Sequence, residues 1–162
     1  MAFDKAKAHL EKFGLGDRVK EFPVSSATVE LAAQAVGCEP AHIAKTLSFM
    51  VDGHPVLIVA AGDAKVDNHK YKEFFHTKAK MLSPQEAEEL VGHAVGGVCP
   101  FGVNDGVKVY LDESLKRFDV VYPACGSANS AVRLAIPELE ESSGYEAWVD
   151  VCKGWEELPI DG

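Results

Sequence analysis

The pattern of apolar and polar residues between positions 43 and 61 predicts a β-hairpin. Ile43–Val51 is expected to be a strand, and the run at 55–61 is apolar at nearly every position, as is typical of a strand at a sheet centre. Asp52-Gly53 between them is a strong signal for a tight turn. This hairpin is the best-defined element that the sequence predicts.

Lys45 is the unusual residue of the first strand. Successive side chains of a strand point to opposite faces, so Lys45 shares a face with four large apolar residues, whereas Thr46 and Ser48 lie on the other. A lysine directed at a core must extend its ammonium to water, pair with an anion or lose its proton. Each outcome suits a ligand pocket, so Lys45 is a candidate functional residue. The alternative is a shifted register that leaves it at the sheet margin.

The remaining pattern alternates short helices and strands. Thr28 and Gly37 are suited to begin and end one helix, and Ser83 with Glu86 forms a capping box for another. The predicted helices are 4–13, 29–36, 68–75, 84–91, 113–116 and a short one from 137; the predicted strands are 19–22, 43–51, 55–61, 80–82, 107–111, 119–122, 130–134 and 147–151. The sequence therefore predicts an α+β fold, a single domain over 1–162 with a mixed, largely antiparallel sheet of about seven strands curled around a pocket.

Charge restricts the classes of partner. The chain has 16 basic and 25 acidic residues and a formal net charge of −9. Proteins that coat nucleic-acid backbones need clustered cations, so we do not expect such a protein, although gripping only the end of an RNA remains compatible. The basic residues within 65–80 are interpreted as a solvated helix face or a contact surface. No apolar run approaches a membrane span and the first residues lack a signal-peptide pattern, which favours a cytoplasmic protein.

Cysteines and histidines show no metal-binding spacing. The four cysteines are scattered without a CxxC pair, and the six histidines form no HExxH motif. We therefore predict no metal and no cofactor, with the cysteines as small core residues.

A glycine-rich segment at 96–102 is the second candidate for chemistry. Gly96, Gly97 and Gly102 allow a backbone to approach a ligand closely, and Pro100 stiffens the loop. Exposed amides of such a loop can bind an anion or an oxyanion. The alternative is an ordinary connection between a helix and a strand. The small polar segment 125–130 is either a pocket wall or a plain turn.

These segments, in this order, resemble the YbaK/prolyl-tRNA synthetase-associated (ProX, INS-like) editing domain family. The resemblance covers about 20–152 and is carried by the helix at 28–33, the Ile-Ala-Lys-Thr-Leu strand at 43–47, Gly62-Asp63, the glycine loop and Gly126-Ser127. The lysine strand and the GxxxP loop at this separation are its most specific parts.

The resemblance implies a trans-acting aminoacyl-tRNA deacylase with no metal, cofactor or protein nucleophile. Its expected substrate is Cys-tRNA(Pro) or a tRNA carrying another small residue, alanine or serine. Lys45 matches the residue whose loss is most damaging in the family, so it is the implied catalytic residue. The implied substrate-binding residues are Phe22, Thr46, Gly96, Gly97, Pro100, Gly102, Gly126 and Ser127. The implied partners are the aminoacylated tRNA acceptor end and, as a candidate, prolyl-tRNA synthetase, with no membrane and no DNA.

The chemistry fits an activated ester. Backbone amides near Gly96 and Gly97 are predicted to stabilise the tetrahedral oxyanion, and the ribose hydroxyl beside the ester is predicted to relay protons. Lys45 would anchor the terminal phosphate or orient the ester.

Two departures and two alternatives accompany this interpretation. Phe22 lies where some relatives have an aromatic hydroxyl, and Cys125 lies near the position where relatives that favour alanyl-tRNA have a histidine. The alternatives are a non-catalytic module that binds aminoacyl-tRNA or a synthetase, and a hydrolase of another ester that uses Cys99 as nucleophile.

Overall fold

Five α-helices and ten β-strands form the regular structure of residues 2–94 and 96–155, which are the residues that the computed structural model describes. The helices are α1 Ala2–Glu11, α2 Val29–Val36, α3 Asn68–Phe75, α4 Pro84–Glu86 and α5 Ile136–Ser143. The strands are β1 Val19–Glu21, β2 Ile43–Val51, β3 His54–Ala61, β4 Lys65–Val66, β5 Lys108–Asp112, β6 Val120–Pro123, β7 Ser130–Val132, β8 Leu134–Ala135, β9 Ala147–Val149 and β10 Cys152–Lys153. Short 3₁₀ segments lie at Gly16–Arg18, Pro40–His42 and Glu113–Arg117.

The strands form one large sheet and two small ones. The large sheet has the order β8-β6-β2-β3-β5-β9, while β1 pairs with β7 and β4 pairs with β10. Four of these seven pairings are antiparallel, namely β2–β3, β6–β8, β1–β7 and β4–β10, and three are parallel. The predicted α+β class with a mixed, curled sheet is confirmed, with more parallel pairing in the central sheet than we expected.

The predicted hairpin is the centre of the sheet, and both of its faces are covered. Lys45 pairs with Ala60 and Phe49 with Val56, which places these residues on one face. On that face the Phe49 ring lies 5.1 Å from the Tyr71 ring of α3. The opposite face packs in a second cluster that includes Leu57 of β3. Complete coverage explains why β3 is apolar at nearly every position.

Helix ends follow the predicted capping chemistry. The Thr28 hydroxyl accepts a hydrogen bond from Leu31 N, and Gly37 ends α2 in the left-handed conformation. Ser83 and Glu86 form the capping box of α4. The chain then continues as a single π-helical segment, Ala87–Val91, rather than as regular α-helix.

Several predicted boundaries were wrong. Helix α1 begins two residues before the predicted 4–13. The strand predicted at 80–82 is a single bridge between Met81 and Phe49. The strand predicted at 130–134 is divided, because the chain leaves the small sheet after β7 and joins the large sheet at β8, with Arg133 exposed between them. The two-residue strands β4 and β10 are too short to leave a pattern in the sequence.

Candidate functional site

The outer edge of β2 is interrupted. Strand β6 pairs with Ile43 and Ala44, while farther along Leu82 N donates to Ser48 O at 3.1 Å and Met50 N donates to Lys80 O at 2.9 Å. Within the described part of the chain, residues 45–47 lie between these two pairings without a ladder partner on that side. Backbone groups of an antiparallel strand alternate in direction, and Ser48 and Met50 bond outward. The backbone N–H and C=O groups of Thr46 therefore open into the gap.

A cavity of about 270 Å³ lies over this gap. Its walls come from the segment before α2, the 81–82 bridge, the glycine loop, β6 and β7. Its polar wall residues include Ser26, Thr28, Lys45, Thr46, Ser48, Tyr122 and Ser130. Among the described residues, the buried Thr46 hydroxyl has no hydrogen-bond partner. A buried hydroxyl without a partner is costly, so this oxygen is available to a ligand in the cavity.

Lys45 contributes a cation to this site. Its ammonium donates hydrogen bonds to the carbonyl oxygens of Gly62, at 3.4 Å, and Ala64, in the turn that follows β3. Burial lowers the pKa of the Lys45 ammonium below its ordinary value, and the Cys152 thiol and the Asp63 carboxylate oppose this shift. An ammonium has three N–H groups, and these two carbonyls use two of them. One N–H therefore remains for a substrate.

An ion pair holds the turn that binds Lys45. Arg117 places both terminal guanidinium nitrogens on the Asp63 carboxylate, with Nη1 3.0 Å from Oδ2, and its Nε donates to Ser114 O at 3.0 Å. The buried Ser114 hydroxyl accepts from Ala61 N at 3.1 Å, which ties the same 3₁₀ segment to the end of β3. Gly62 leaves no room for a side chain, since a Cβ there would lie 2.1 Å from Pro40 O.

The glycine loop contributes Gly96 and Val98 to the cavity wall. Gly96 lines the cavity at a φ of 93°. Gly97 lies behind it, and its N–H is bonded to Ala94 O at 3.0 Å, so this amide is not free to bind an oxyanion. A Cβ on Gly97 would lie 2.5 Å from Ser127 N. Gly97 thus permits close packing of the loop against the 126–127 turn.

Four other predicted binding residues do not line the cavity, namely Pro100, Gly102, Gly126 and Ser127. Gly102 and Gly126 pack against α1, where an added Cβ would lie 2.7 Å from Lys5 O and 2.5 Å from Ala2 O, respectively. Pro100 is buried. The Ser127 hydroxyl donates to Ser130 Oγ at 2.7 Å, and Ser130 lines the cavity.

Phe22 lies outside this cavity, and Tyr122 was not anticipated. Phe22 lines a second, adjoining cavity that shares Tyr122 and Ala131 with the first. Ser130 belongs to the small polar segment that the sequence offered as a pocket wall. Ser26 and Tyr122 gave no comparable signal, because strand crossovers that no local pattern encodes bring them to the gap.

Cys99 is poorly placed to act as a nucleophile. Its side chain is fully buried, and burial raises the pKa of the thiol. His93 Nε2 lies 3.6 Å from Cys99 Sγ, a proximity that the sequence did not suggest. However, Nε2 also lies 2.8 Å from Phe101 O, and a carbonyl only accepts, so Nε2 carries the proton. A protonated nitrogen cannot serve as the base for the thiol.

The described residues contain neither a metal-binding cluster nor a membrane-spanning helix. No cluster of three or more His, Cys, Asp and Glu side chains is arranged to hold a metal ion there. No helix within 2–94 and 96–155 is both long and apolar enough to cross a bilayer.

Comparisons with known proteins identify the family of this architecture. Residues 24–141 match the family model described as "Aminoacyl-tRNA editing domain". The uncharacterized protein YwhH of Bacillus subtilis (strain 168) is 52% identical over 157 residues, covering 96% of this chain and all of YwhH. A solved structure described as "a putative trans-editing enzyme for prolyl tRNA synthetase" is 32% identical with a TM-score of 0.85, covering 94% of this chain and 98% of that one.

Proline–tRNA ligases match over a smaller share of their length. The ligase of Lysinibacillus sphaericus (strain C3-41) is 31% identical over 114 residues, which is 70% of this chain but 19% of the ligase. The chain is thus similar to one part of a synthetase and to the whole of YwhH.

The His93 environment predicts a stability that decreases in mild acid. Burial lowers the pKa of His93, and its Nδ1 is buried without a partner among the described residues. The unfolded chain therefore binds a proton at this histidine more readily than the folded chain does. The free energy of unfolding should decrease as pH falls below about 6.5, by at most about 1.4 kcal/mol per pH unit. Urea unfolding between about pH 8 and pH 5 should show this component in the wild type and lose it in His93→Phe. The exposed His54→Gln variant should retain it; equal pH dependence in wild type and His93→Phe would contradict the assignment.

Proposed function

The chain belongs to the aminoacyl-tRNA editing domain family, and we propose that it hydrolyses the ester bond of mischarged tRNA in trans. The observation that carries the proposal is the interrupted edge of β2. There, among the described residues, the Thr46 hydroxyl has no partner and the half-buried Lys45 ammonium has one N–H left over. The similarity of this chain to the whole of YwhH supports the proposal that it acts as a separate protein rather than as part of a ligase.

In the proposed reaction, a water oxygen attacks the ester carbonyl carbon and a tetrahedral oxyanion forms. The bond between that carbon and the ribose oxygen then breaks, the ribose oxygen takes a proton, and a free amino acid leaves. The neighbouring ribose hydroxyl can pass the proton from water to the leaving oxygen, so the substrate supplies a group that the protein lacks. An aminoacyl ester is already activated, so positioning and charge stabilisation are sufficient assistance.

We assign the oxyanion and ester contacts to the open part of β2. Thr46 offers an outward backbone N–H and a free hydroxyl, and Gly96 lets the loop approach from the other wall. The N–H of Gly97 is excluded because Ala94 O occupies it. Lys45 acts as a held cation that orients the ester or the terminal phosphate, since its two carbonyl partners fix the ammonium.

The cavity favours a small aminoacyl group. Its volume of about 270 Å³ lies just below the usual range of about 300–1,000 Å³ for small-molecule sites. We therefore propose Cys-tRNA(Pro), or tRNA carrying alanine or serine, as the substrate. Prolyl-tRNA synthetase is the proposed partner that would supply it.

A deacylation panel tests this function. The wild-type protein should hydrolyse tRNA(Pro) charged with cysteine, alanine or serine. It should leave cognate prolyl-tRNA(Pro) largely intact, because the larger proline ring fits the cavity poorly. Release of labelled amino acid is the measurement, with threonyl-tRNA(Pro) as a branched comparison. Tight binding of these tRNAs without any hydrolysis would instead support the non-catalytic binding module.

Removal of the Lys45 ammonium should abolish this hydrolysis. Lys45→Ala should lower kcat/KM by at least about 100-fold, as is usual when a preorganised charge is lost from a site. Lys108→Ala, at an exposed lysine on β5, is the matched control and should retain wild-type activity. Thermal unfolding of both variants would show that the fold survives. A Lys45→Ala protein with an unchanged rate would refute the catalytic role.

Asp63 and Arg117 are expected to be positioning residues that act through Lys45. Asp63 raises the pKa of the Lys45 ammonium, so Asp63→Asn should lower that pKa further. The alkaline loss of activity should then begin at lower pH. Arg117→Lys keeps the positive charge but cannot place two nitrogens on the carboxylate, so it should lower kcat with little change in KM.

Measurement of kcat against pH for the two variants tests this arrangement. Glu113→Gln, which removes the carboxylate bound to Lys116 at the surface, is the control and should leave the profile unchanged. A purely structural role for the ion pair would reduce stability without moving the alkaline limb, and that result would refute the assignment.

A further inference from the structure

The second cavity is lined by cations. It has a volume of about 180 Å³ and adjoins the first at Tyr122 and Ala131. Its other lining residues are Arg18, Lys20, Phe22, Ala35, Val36 and Arg133. We call Arg18, Lys20, Phe22, Tyr122 and Arg133 the basic groove.

The small β1–β7 sheet brings the basic groove together. Lys20 of β1 and Phe22 directly after it occupy alternate positions, so their side chains share one face. Arg18 ends the 3₁₀ segment before β1 and lines the same cavity. Lys20 pairs with Ala131, and Arg133 lies two residues farther along on the same face. Lys20 and Arg133 are exposed. A stripe of cations with one aromatic ring therefore points toward the cavity.

Among the described residues, Arg18 is the one cation of the groove that forms an ion pair. Glu138 forms an ion pair with Arg18, accepts from Ala135 N at 2.8 Å and lies within the influence of Arg133. Asp17 also acts on Arg18, so two carboxylates oppose that cation, whereas Lys20 and Arg133 form no ion pair within the described residues of this chain of net charge −9. Glu39 and Asp119 line a third cavity, which adjoins the groove at Tyr122 and Arg133.

We propose that the basic groove binds the phosphodiester backbone of the single-stranded 3′ end of tRNA, at the nucleotides that precede the esterified adenosine. This inference rests on the proposed function, because the adjoining cavity would hold the ester. Cations that track phosphates and aromatic rings on which bases stack are the usual means of holding single-stranded RNA. Phe22 and Tyr122 supply the rings, and stacking needs no hydroxyl on Phe22.

A second basic surface provides the competing route. Lys72 and Lys78 line another cavity together with Asn68, His69 and Ala79. Both surfaces carry two or more cations, so the positive charge of each surface alone does not show which one binds RNA. The basic groove is favoured because it adjoins the Lys45 cavity and carries the aromatic rings.

Binding of uncharged tRNA(Pro), followed by fluorescence anisotropy at several salt concentrations, tests the groove independently of hydrolysis. Lys20→Gln combined with Arg133→Gln should weaken binding about tenfold, and should reduce the slope of log Kd against log salt by about 1.4, or about 0.7 for each lost phosphate contact. Lys72→Gln combined with Lys78→Gln is the matched control and should change neither quantity. With tRNA lacking its single-stranded 3′ nucleotides, wild type and groove variant should bind equally.

Hydrolysis of two substrates supplies the second measurement. The groove variant should show about tenfold higher KM for aminoacyl-tRNA with unchanged kcat, and an unchanged rate for aminoacyl-adenosine, which has no phosphodiester. Equal binding by wild type and groove variant, or an equal loss in the control variant, would overturn the proposal. If the wild type hydrolyses no ester while tRNA binding still depends on Lys20 and Arg133, the proposed hydrolysis is refuted, but the proposal that the basic groove binds tRNA is supported.

Discussion

The half-buried ammonium of Lys45 has lost part of its water and needs protein atoms to replace it, and much of the site follows from that requirement. Two carbonyl oxygens of the turn after β3 replace water around the charge. The Asp63–Arg117 ion pair and the close approach of Gly62 to Pro40 hold this turn in place. A cation held in this way loses little freedom when a substrate arrives, which is the physical meaning of a preorganised site.

Strand order explains how a sheet protein can offer backbone groups to a ligand. The central strand β2 has β3 along one side, whereas on the other side β6 and the 81–82 bridge leave a space between them. The cations of the β1–β7 sheet border the same region. A protein of net charge −9 can thus present positive charge and hydrogen-bonding groups together at one place.

Local patterns predicted the central hairpin, the boundaries of α2 and the capping box, because alternation, capping and tight turns depend on residues close in sequence. The same alternation marked Lys45 as a candidate, whereas Thr46 was named through the resemblance to the editing domain family. The supporting role of Gly97 and the displacement of Phe22 to a second cavity could not be predicted. They depend on how the 96–102 loop meets the 126–127 turn and on the pairing of β1 with β7, which are contacts between distant parts of the chain.

The short length of the gap in β2 also has a consequence for self-association. An unpaired strand edge is a template on which another chain can add a strand, which is a common route to aggregation. Here the open stretch is residues 45–47, closed at one end by β6 and at the other by the 80–82 segment. Strands in globular proteins usually run for about 5–6 residues, so a second copy cannot pair stably in so short a recess. The unpaired backbone N–H and C=O groups of β2 are therefore accessible to a small ligand but not to a strand of a second copy.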